Sequence, residues 1–146
     1  MKTLVIYDSN YGNTKRIAQA IADSLGDGSE ALEAGGFDES MLKGLDLLVV
    51  GSPIVAWRPT QKMRDFLNGL KGGQLSGIKS AAFDTRVKSF ISGTGGEKIE
   101  SALKKAGAQI ISPPQKFYVR GPKGPLADGE VEKASKWGES LKAEKK

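Results

Sequence analysis

The chain has 146 residues, of which 38% are hydrophobic and 27% charged, and its formal net charge is +5. This size and composition predict a single globular domain spanning residues 1–146. Cysteine and histidine are both absent from the sequence. Their absence excludes disulfides, thiolate chemistry and Ser-His or Cys-His nucleophiles, and it argues against a zinc site.

The positive charge is typical either of a solvated basic surface or of a protein that meets an acidic partner. Five lysines lie in the last 14 residues, so much of the excess charge belongs to one predicted helix end, and we do not expect nucleic-acid binding. No stretch approaches the roughly 18 apolar residues of a membrane-spanning helix. A strand pattern also begins two residues into the chain, without a signal-peptide pattern. We therefore expect a cytoplasmic protein that makes no membrane contact.

Strand and helix patterns alternate along the chain. In order they predict a strand at 2–7, a helix at 13–25, a weak strand at 29–33, a short helix capped by Asp38, a strand at 45–50, a helix from Pro59 to about Leu70, a strand at 79–84, a helix at 96–106, a strand at 109–112 that resumes at 116–119, and a helix at 128–142. The run at 45–50 is almost continuously apolar, which is typical of a strand covered on both faces. Residues 51–53 are predicted to end it, and residues 54–60 to form an exposed loop.

This alternation predicts an α/β fold of three layers, with helices on both faces of a doubly wound, five-stranded parallel sheet. The loops after strands one, three and four converge in such a sheet when its order is 2-1-3-4-5. Ligands bind such sheets at the carboxyl ends of the strands, where the strand order reverses. Three loops of unusual composition leave strand ends of this kind, at residues 8–14, 52–59 and 84–92. We expect these loops to converge on one ligand.

The first loop has the sequence SNYGNT at residues 9–14. It carries a hydroxyl at each end, two amides and a glycine, and it runs directly into a helix. Free N–H groups and the positive end of the dipole at a helix start attract anions. The loop therefore predicts a phosphate cradle, the alternative being an ordinary turn in which Thr14 caps the helix.

Residues 9–14 resemble the S/T-x-x-G-x-T phosphate loop of flavodoxins, in the place where that family has it. The sequence GSP at 51–53 resembles the second flavin loop of the family, and KKAGAQII at 104–111 resembles its fourth helix running into the fifth strand. The resemblance covers nearly the whole chain, and it implies a flavodoxin-like fold with flavin mononucleotide (FMN) as the cofactor. Flavodoxins hold the phosphate with neutral donors, so no lysine contact is implied. The implied phosphate contacts are the side chains of Ser9, Asn13 and Thr14 and the backbone N–H groups of Asn10, Tyr11 and Gly12.

For the second loop the resemblance implies that Trp57 covers one face of the flavin ring. An aromatic contact of this kind excludes water and contributes stacking energy. The alternative is a tryptophan that packs on its own domain. Arg58 reaches either the flavin rim or solvent. The rest of the implied contact surface in this loop consists of Ser52, Pro53, Ile54, Val55 and Ala56.

In the third loop the resemblance implies a site at Asp84, Thr85 and Arg86, with the last two donating backbone N–H groups to the pyrimidine edge of the flavin. Arg86 alternatively pairs with Asp84. The second stacking aromatic of the family is not evident here, and Phe90 is either that residue or part of the core. A positive charge from Arg58 or Arg86 near the ring stabilises the reduced, anionic flavin. We therefore expect a less negative reduction potential than in acidic flavodoxins.

These features predict an FMN-binding electron-transfer protein, because no side chain has the setting of a nucleophile or general base and no metal site is evident. The alternative is an FMN-dependent NAD(P)H:quinone-type reductase, a branch of the same fold that residues 51–53 and 61–66 also resemble. A signalling receiver domain is disfavoured because GSP stands where such a domain needs an aspartate. The basic charge predicts redox partner proteins with acidic surfaces, and we expect a monomer or weak dimer.

Overall fold

The computed structural model describes residues 2–55, 58–87, 95–121 and 123–144. Two short 3-10 turns, Ala34–Gly36 and Glu39–Leu42, lie between the second and third strands. The strands and helices, in chain order, are β1 Thr3–Tyr7, α1 Asn13–Leu25, β2 Ser29–Glu33, β3 Leu47–Val55, β4 Arg58–Pro59, α2 Gln61–Asn68, β5 Lys79–Val87, α3 Gly95–Lys105, β6 Gln109–Ile110, β7 Gln115–Val119 and α4 Glu130–Glu144.

The central sheet has the order β2-β1-β3-β5-β6, and its pairs are all parallel. β7 also pairs parallel with β5, further along that strand than β6 does. The two short strands therefore share the fifth position, which confirms the predicted order 2-1-3-4-5. Pro113 and Pro114 stand between them, where the absence of a proline N–H interrupts the ladder.

The sheet separates two hydrophobic clusters. One contains side chains of α1 and α4, and the other contains side chains of α2 and α3. Successive residues of β1 alternate between them, Val5 in the first cluster and Ile6 in the second. Because β1 and β3 are covered on both faces, their sequences are apolar without alternation.

The composition of residues 51–53 predicted that they end β3, and this prediction is wrong. The strand continues to Val55, and its last residues pair antiparallel with β4 in a segment that we predicted to be an exposed loop. A Cβ built on Gly51 would lie 2.1 Å from the ring of Phe83. The glycine therefore allows close packing of a ring against the strand, where the sequence pattern suggested a turn.

The predicted start of α2 at Pro59 is also wrong. Pro59 lies in β4, and Thr60 caps the helix by accepting a hydrogen bond from the N–H of Met63 at 3.3 Å. β5 extends to Val87, three residues beyond its predicted end, because its last residues pair with β7. Asp38 does not cap the backbone of the short turn that follows it, since its carboxylate accepts the hydroxyl of Ser40 at 2.5 Å.

Candidate cofactor site

A cleft of about 410 Å³ opens at the carboxyl ends of β1, β3 and β5. It lies where the strand order reverses, which is the usual ligand position in such sheets, and its volume is typical of small-molecule sites. Its polar side is formed by the loop after β1, and its apolar side by β3, β5 and β7. The lining residues are Ser9, Asn10, Tyr11, Asn13, Thr14, Pro53, Ile54, Thr85, Arg86, Val87 and Val119.

The start of α1 is suited to an anion. Gly12 precedes the helix with a left-handed φ of 89°, and no side chain of the described residues caps it. The first turn, residues 13–16, contains no acidic residue. The free N–H groups and the positive end of the helix dipole therefore favour a negatively charged group at this end of the cleft.

Hydrogen bonds hold the side chains of this loop in place. The hydroxyl of Ser9 accepts the N–H of Gly12 at 2.9 Å, which closes the loop. The hydroxyl of Thr14 lies 2.7 Å from that of Thr85. A hydroxyl that accepts one hydrogen bond still has a hydrogen to donate, so Ser9 keeps a donor for a phosphate, and so does Thr14 when Thr85 is the donor of their shared bond.

A second network anchors the far side of the loop. The hydroxyl of Thr60 donates to the Asp8 carboxylate at 2.5 Å, and the Thr60 N–H donates to the hydroxyl of Ser52 at 3.1 Å. Ser52 also donates to the carbonyl of Pro53 at 2.8 Å. Three segments are thus tied together: the end of β1, the extension of β3 and the start of α2. Ser52 is fully buried and supports the cleft from behind.

The sequence left two roles open for Arg86, a contact with the flavin or an ion pair with Asp84. The structure contains the ion pair. The guanidinium donates two hydrogen bonds, at 2.8 and 2.6 Å, to the two carboxylate oxygens. The N–H of Gly96 adds a third bond to the carboxylate at 3.1 Å. Asp84 is fully buried, and this burial raises the pKa of its carboxyl, while the hydrogen bond to Asp84 raises the pKa of Arg86. The charge that Arg86 brings to the cleft wall is therefore opposed at close range.

Most of the predicted site residues line this cleft. Gly12 borders it as the residue before α1, and Asp84 lies behind its wall in the ion pair. Thr85 and Arg86 belong to a strand paired with β7, whereas we predicted that their N–H groups would lie in a loop. Val55 is the last residue of β3 and pairs with Arg58 of β4. The predicted positions that fall outside the described residues are Ala56, Trp57 and Phe90.

No pattern in the sequence indicated that Val119 or Lys123 belongs to this region. Val119 ends β7 and lines the cleft. The carbonyl of Lys123 accepts the side-chain amide of Asn13 at 3.2 Å, and its ammonium lies 5.9 Å from the centre of the Tyr11 ring. The glycines and prolines of residues 121–129 predicted a loop, but composition does not show what a loop packs against.

A larger groove, of about 500 Å³, lies between the turn at Ala34–Gly36 and α2. Its lining includes three carboxylates, Asp38, Glu39 and Asp65, beside one ammonium, that of Lys62, so its net negative charge does not suit an anionic ligand. Among the described residues no group of three or more acidic side chains is placed to hold a metal ion. None of the described helices is both long and apolar enough to cross a membrane.

The model of the family described as Flavodoxin domain matches residues 4–121. Among solved structures, flavodoxin 2 from Bacillus cereus is 27% identical, with a TM-score of 0.81 and 100% of each chain covered. A flavodoxin from the Archaea is 20% identical, with a TM-score of 0.82 and 99% of each chain covered. Flavodoxin 1 from Bacillus cereus is 22% identical, with a TM-score of 0.79 over 99% of this chain and 97% of that one. No curated protein matches the sequence.

Proposed function

The chain belongs to the flavodoxin domain family of electron-transfer proteins, which typically bind FMN, and on that premise we propose that it binds FMN in the cleft at the carboxyl ends of β1, β3 and β5. Bound FMN supplies reversible electron uptake and release, and the protein supplies binding, orientation and electrostatics. The proposed activity is the transfer of electrons between partner proteins.

One observation carries the proposal: a start of α1 suited to an anion and an apolar wall face the same cleft. FMN combines these two requirements, because it has a phosphate at one end and a flat, largely apolar ring at the other. Ser9, Asn13 and Thr14 lie at the end where the phosphate would bind. Ile54 and Val87 line the wall along which the ring would lie.

The residues of the cleft have separate roles in this proposal. The hydroxyls of Ser9 and Thr14 donate to the phosphate and are held in position by their bonds to Gly12 and Thr85. The apolar wall excludes water from one side of the ring. Trp57 is proposed to cover the ring from the second loop, as the family resemblance implies. The buried pair of Asp84 and Arg86 holds the end of β5 against the start of α3.

The absorption spectrum of the purified protein and a titration of the ligand-free protein with FMN test this function. We expect flavin absorption bands and a tight, saturable complex. In a Gly12→Val variant we expect a large loss of FMN affinity, because a β-branched residue is strained at a φ of 89°. Gly72→Val is the matched control, since an added Cβ there meets no atom within 4 Å. A protein that ignores added FMN would overturn the proposal.

Steady oxidation of NADH or NADPH by the isolated FMN-loaded protein would favour the alternative, a quinone-type reductase. Turnover that appears only when a separate reductase is added is what we expect of an electron carrier. Both outcomes leave FMN binding intact, so this assay tests the activity separately from the cofactor.

We also propose that the redox partners present acidic surfaces, because the formal net charge of the chain is +5. Opposite charges steer association, and dissolved salt screens that steering. Electron-transfer rates with a natural partner should therefore fall as ionic strength rises, and rates insensitive to salt would contradict this partner chemistry. A cytoplasmic location is part of the same proposal and is checked by cell fractionation.

A further inference from the structure

The segment after β7 folds back along that strand. Val119 and Leu126 form an antiparallel bridge, and the N–H of Ala127 donates to the carbonyl of Tyr118 at 2.9 Å. Nearer the tip, the N–H of Arg120 donates to the carbonyl of Pro125 at 2.8 Å. Lys123 lies at the tip of this folded-back segment, in a position held by backbone hydrogen bonds on both sides.

The tip rests on the phosphate loop. The side-chain amide of Asn13 donates to the carbonyl of Lys123 at 3.2 Å. A Cβ built on Gly124 would lie 2.6 Å from the amide nitrogen of Asn13, so this close approach requires a glycine. The ammonium of Lys123 lies 5.9 Å from the centre of the Tyr11 ring, within the range of a cation–π contact. Both contacts are to residues of the predicted phosphate loop.

We propose that Lys123 supplies positive charge to the FMN phosphate and thereby makes the chain select FMN over riboflavin. This inference rests on the proposed function, since it assigns a residue to the same site. Asn13 has two amide hydrogens, so it donates one to the Lys123 carbonyl and keeps the other for the phosphate. The flexible stem of Lys123 then brings its ammonium from the Tyr11 ring toward the bound anion.

Arg16 is also a basic residue close to the predicted phosphate loop, but its surroundings differ from those of Lys123. Arg16 lies on α1 and lines a separate groove together with Asp128 and Glu132. That groove therefore carries carboxylates as well as the guanidinium. Lys123 therefore adds to the neutral donors of residues 9–14 a cation that the family resemblance does not imply.

The expected effect on affinity is moderate because Lys123 is exposed. A phosphate ester carries about −1.5 to −2 charges at neutral pH. With about 6–7 Å between the Lys123 ammonium and the phosphate, and a water-like dielectric, loss of the ammonium should weaken FMN binding about five-fold at low salt. The effect should shrink at high salt, because ions screen charges that are exposed to solvent.

The test compares the dissociation constants of FMN and riboflavin for the wild type and for Lys123→Gln and Lys123→Glu, at low and high ionic strength. Lys104→Gln and Lys104→Glu are the matched controls. Lys104 is exposed in the last turn of α3. Because α3 starts at the carboxyl edge of the sheet and returns toward the amino edge, its last turn lies away from the cleft.

We expect FMN binding to weaken in the order wild type, Lys123→Gln, Lys123→Glu. Riboflavin binding should stay unchanged, and neither Lys104 variant should have an effect. Equal weakening of FMN and riboflavin would show that Lys123 only supports the loop, and it would overturn the charge assignment. Unchanged FMN affinity would overturn it as well. If the wild type binds no FMN at all, the proposed function itself fails, an outcome distinct from a failure confined to Lys123.

Discussion

The hydroxyl of Thr14 lies 2.7 Å from the hydroxyl of Thr85, and the two residues are 1% and 4% exposed. Thr14 belongs to the first turn of α1 and Thr85 to β5, so this hydrogen bond joins the phosphate loop to the apolar wall of the cleft. A buried hydroxyl without a partner costs free energy. The bond therefore fixes the position of the Thr14 side chain and contributes to the stability of the protein.

Replacing Thr85 with valine should destabilise the ligand-free protein more than the FMN-bound protein. Without FMN, the variant leaves the Thr14 hydroxyl buried without its partner, at a cost of about 1–3 kcal/mol in the free energy of unfolding. With FMN bound, the phosphate accepts the hydroxyl and offsets part of that cost. Urea unfolding of both forms measures the difference.

Thr3→Val is the control for this substitution. The hydroxyl of Thr3 is also buried, but it has no hydrogen-bond partner among the described residues. Its removal should leave the free energy of unfolding unchanged or slightly higher, because no bond is lost. Equal losses in the two forms of Thr85→Val would show that the phosphate does not take over the Thr14 hydroxyl.

Replacing Asp84 with asparagine should destabilise the protein by about 3–5 kcal/mol, because it leaves the guanidinium of Arg86 without its counter-charge in a buried site. The double variant Asp84→Asn/Arg86→Met should recover part of this loss, since it removes both charges. Urea unfolding of the wild type, the single variant and the double variant measures these differences in the free energy of unfolding.

Asp128→Asn serves as the comparison for the buried pair. It breaks the 2.8 Å ion pair with Arg120, in which the two side chains are 57% (Arg120) and 94% (Asp128) exposed. An exposed ion pair contributes less than about 1 kcal/mol. Similar losses from Asp84→Asn and Asp128→Asn would contradict the assignment of Asp84 and Arg86 as a buried structural pair.

Tyr7 should make the stability of the protein fall with pH above 10. Burial first, and the nearby Glu33 second, raise the pKa of Tyr7 above its ordinary value of 10.0. Above that value the tyrosine of the unfolded chain ionises first, so the unfolded state gains stability relative to the folded state. Tyr7→Phe should flatten this decline in urea unfolding. If stability falls with pH as steeply in Tyr7→Phe as in the wild type, groups other than Tyr7 cause the decline.

The less negative reduction potential expected from the sequence now depends mainly on Arg58. Arg86 has its charge opposed by Asp84 at 2.6 Å, whereas Arg58 is exposed on β4. For an exposed charge about 7 Å from the ring, Arg58→Gln should make the potential more negative by about 30 mV. Potentiometric titration of the FMN-loaded protein measures it, with Lys71→Gln as the control. No shift would place Arg58 away from the ring.

The parts of the fold that local sequence patterns specify were predicted well. α1 has Ile17, Ile21 and Leu25 on one buried face, as their spacing indicated, and its bounds match the prediction. The apolar run that starts β3 is buried on both faces of the sheet. Strand ends were predicted less well, because they depend on pairing partners. β5 continues to Val87 only because β7 lies beside it, and no local signal identifies that neighbour.

The sequence by itself determined the alternation of strands and helices and the polar loop at residues 9–14 that leads into α1. These features follow from hydrophobic period and from turn chemistry, which act over a few neighbouring residues. Only the tertiary structure decided that Arg86 pairs with Asp84 and that Lys123 rests on the phosphate loop beside Asn13. The physical reason is that these contacts depend on how separate loops meet at the edge of the sheet. That meeting is set by packing of the whole domain, to which the local composition of each loop contributes little.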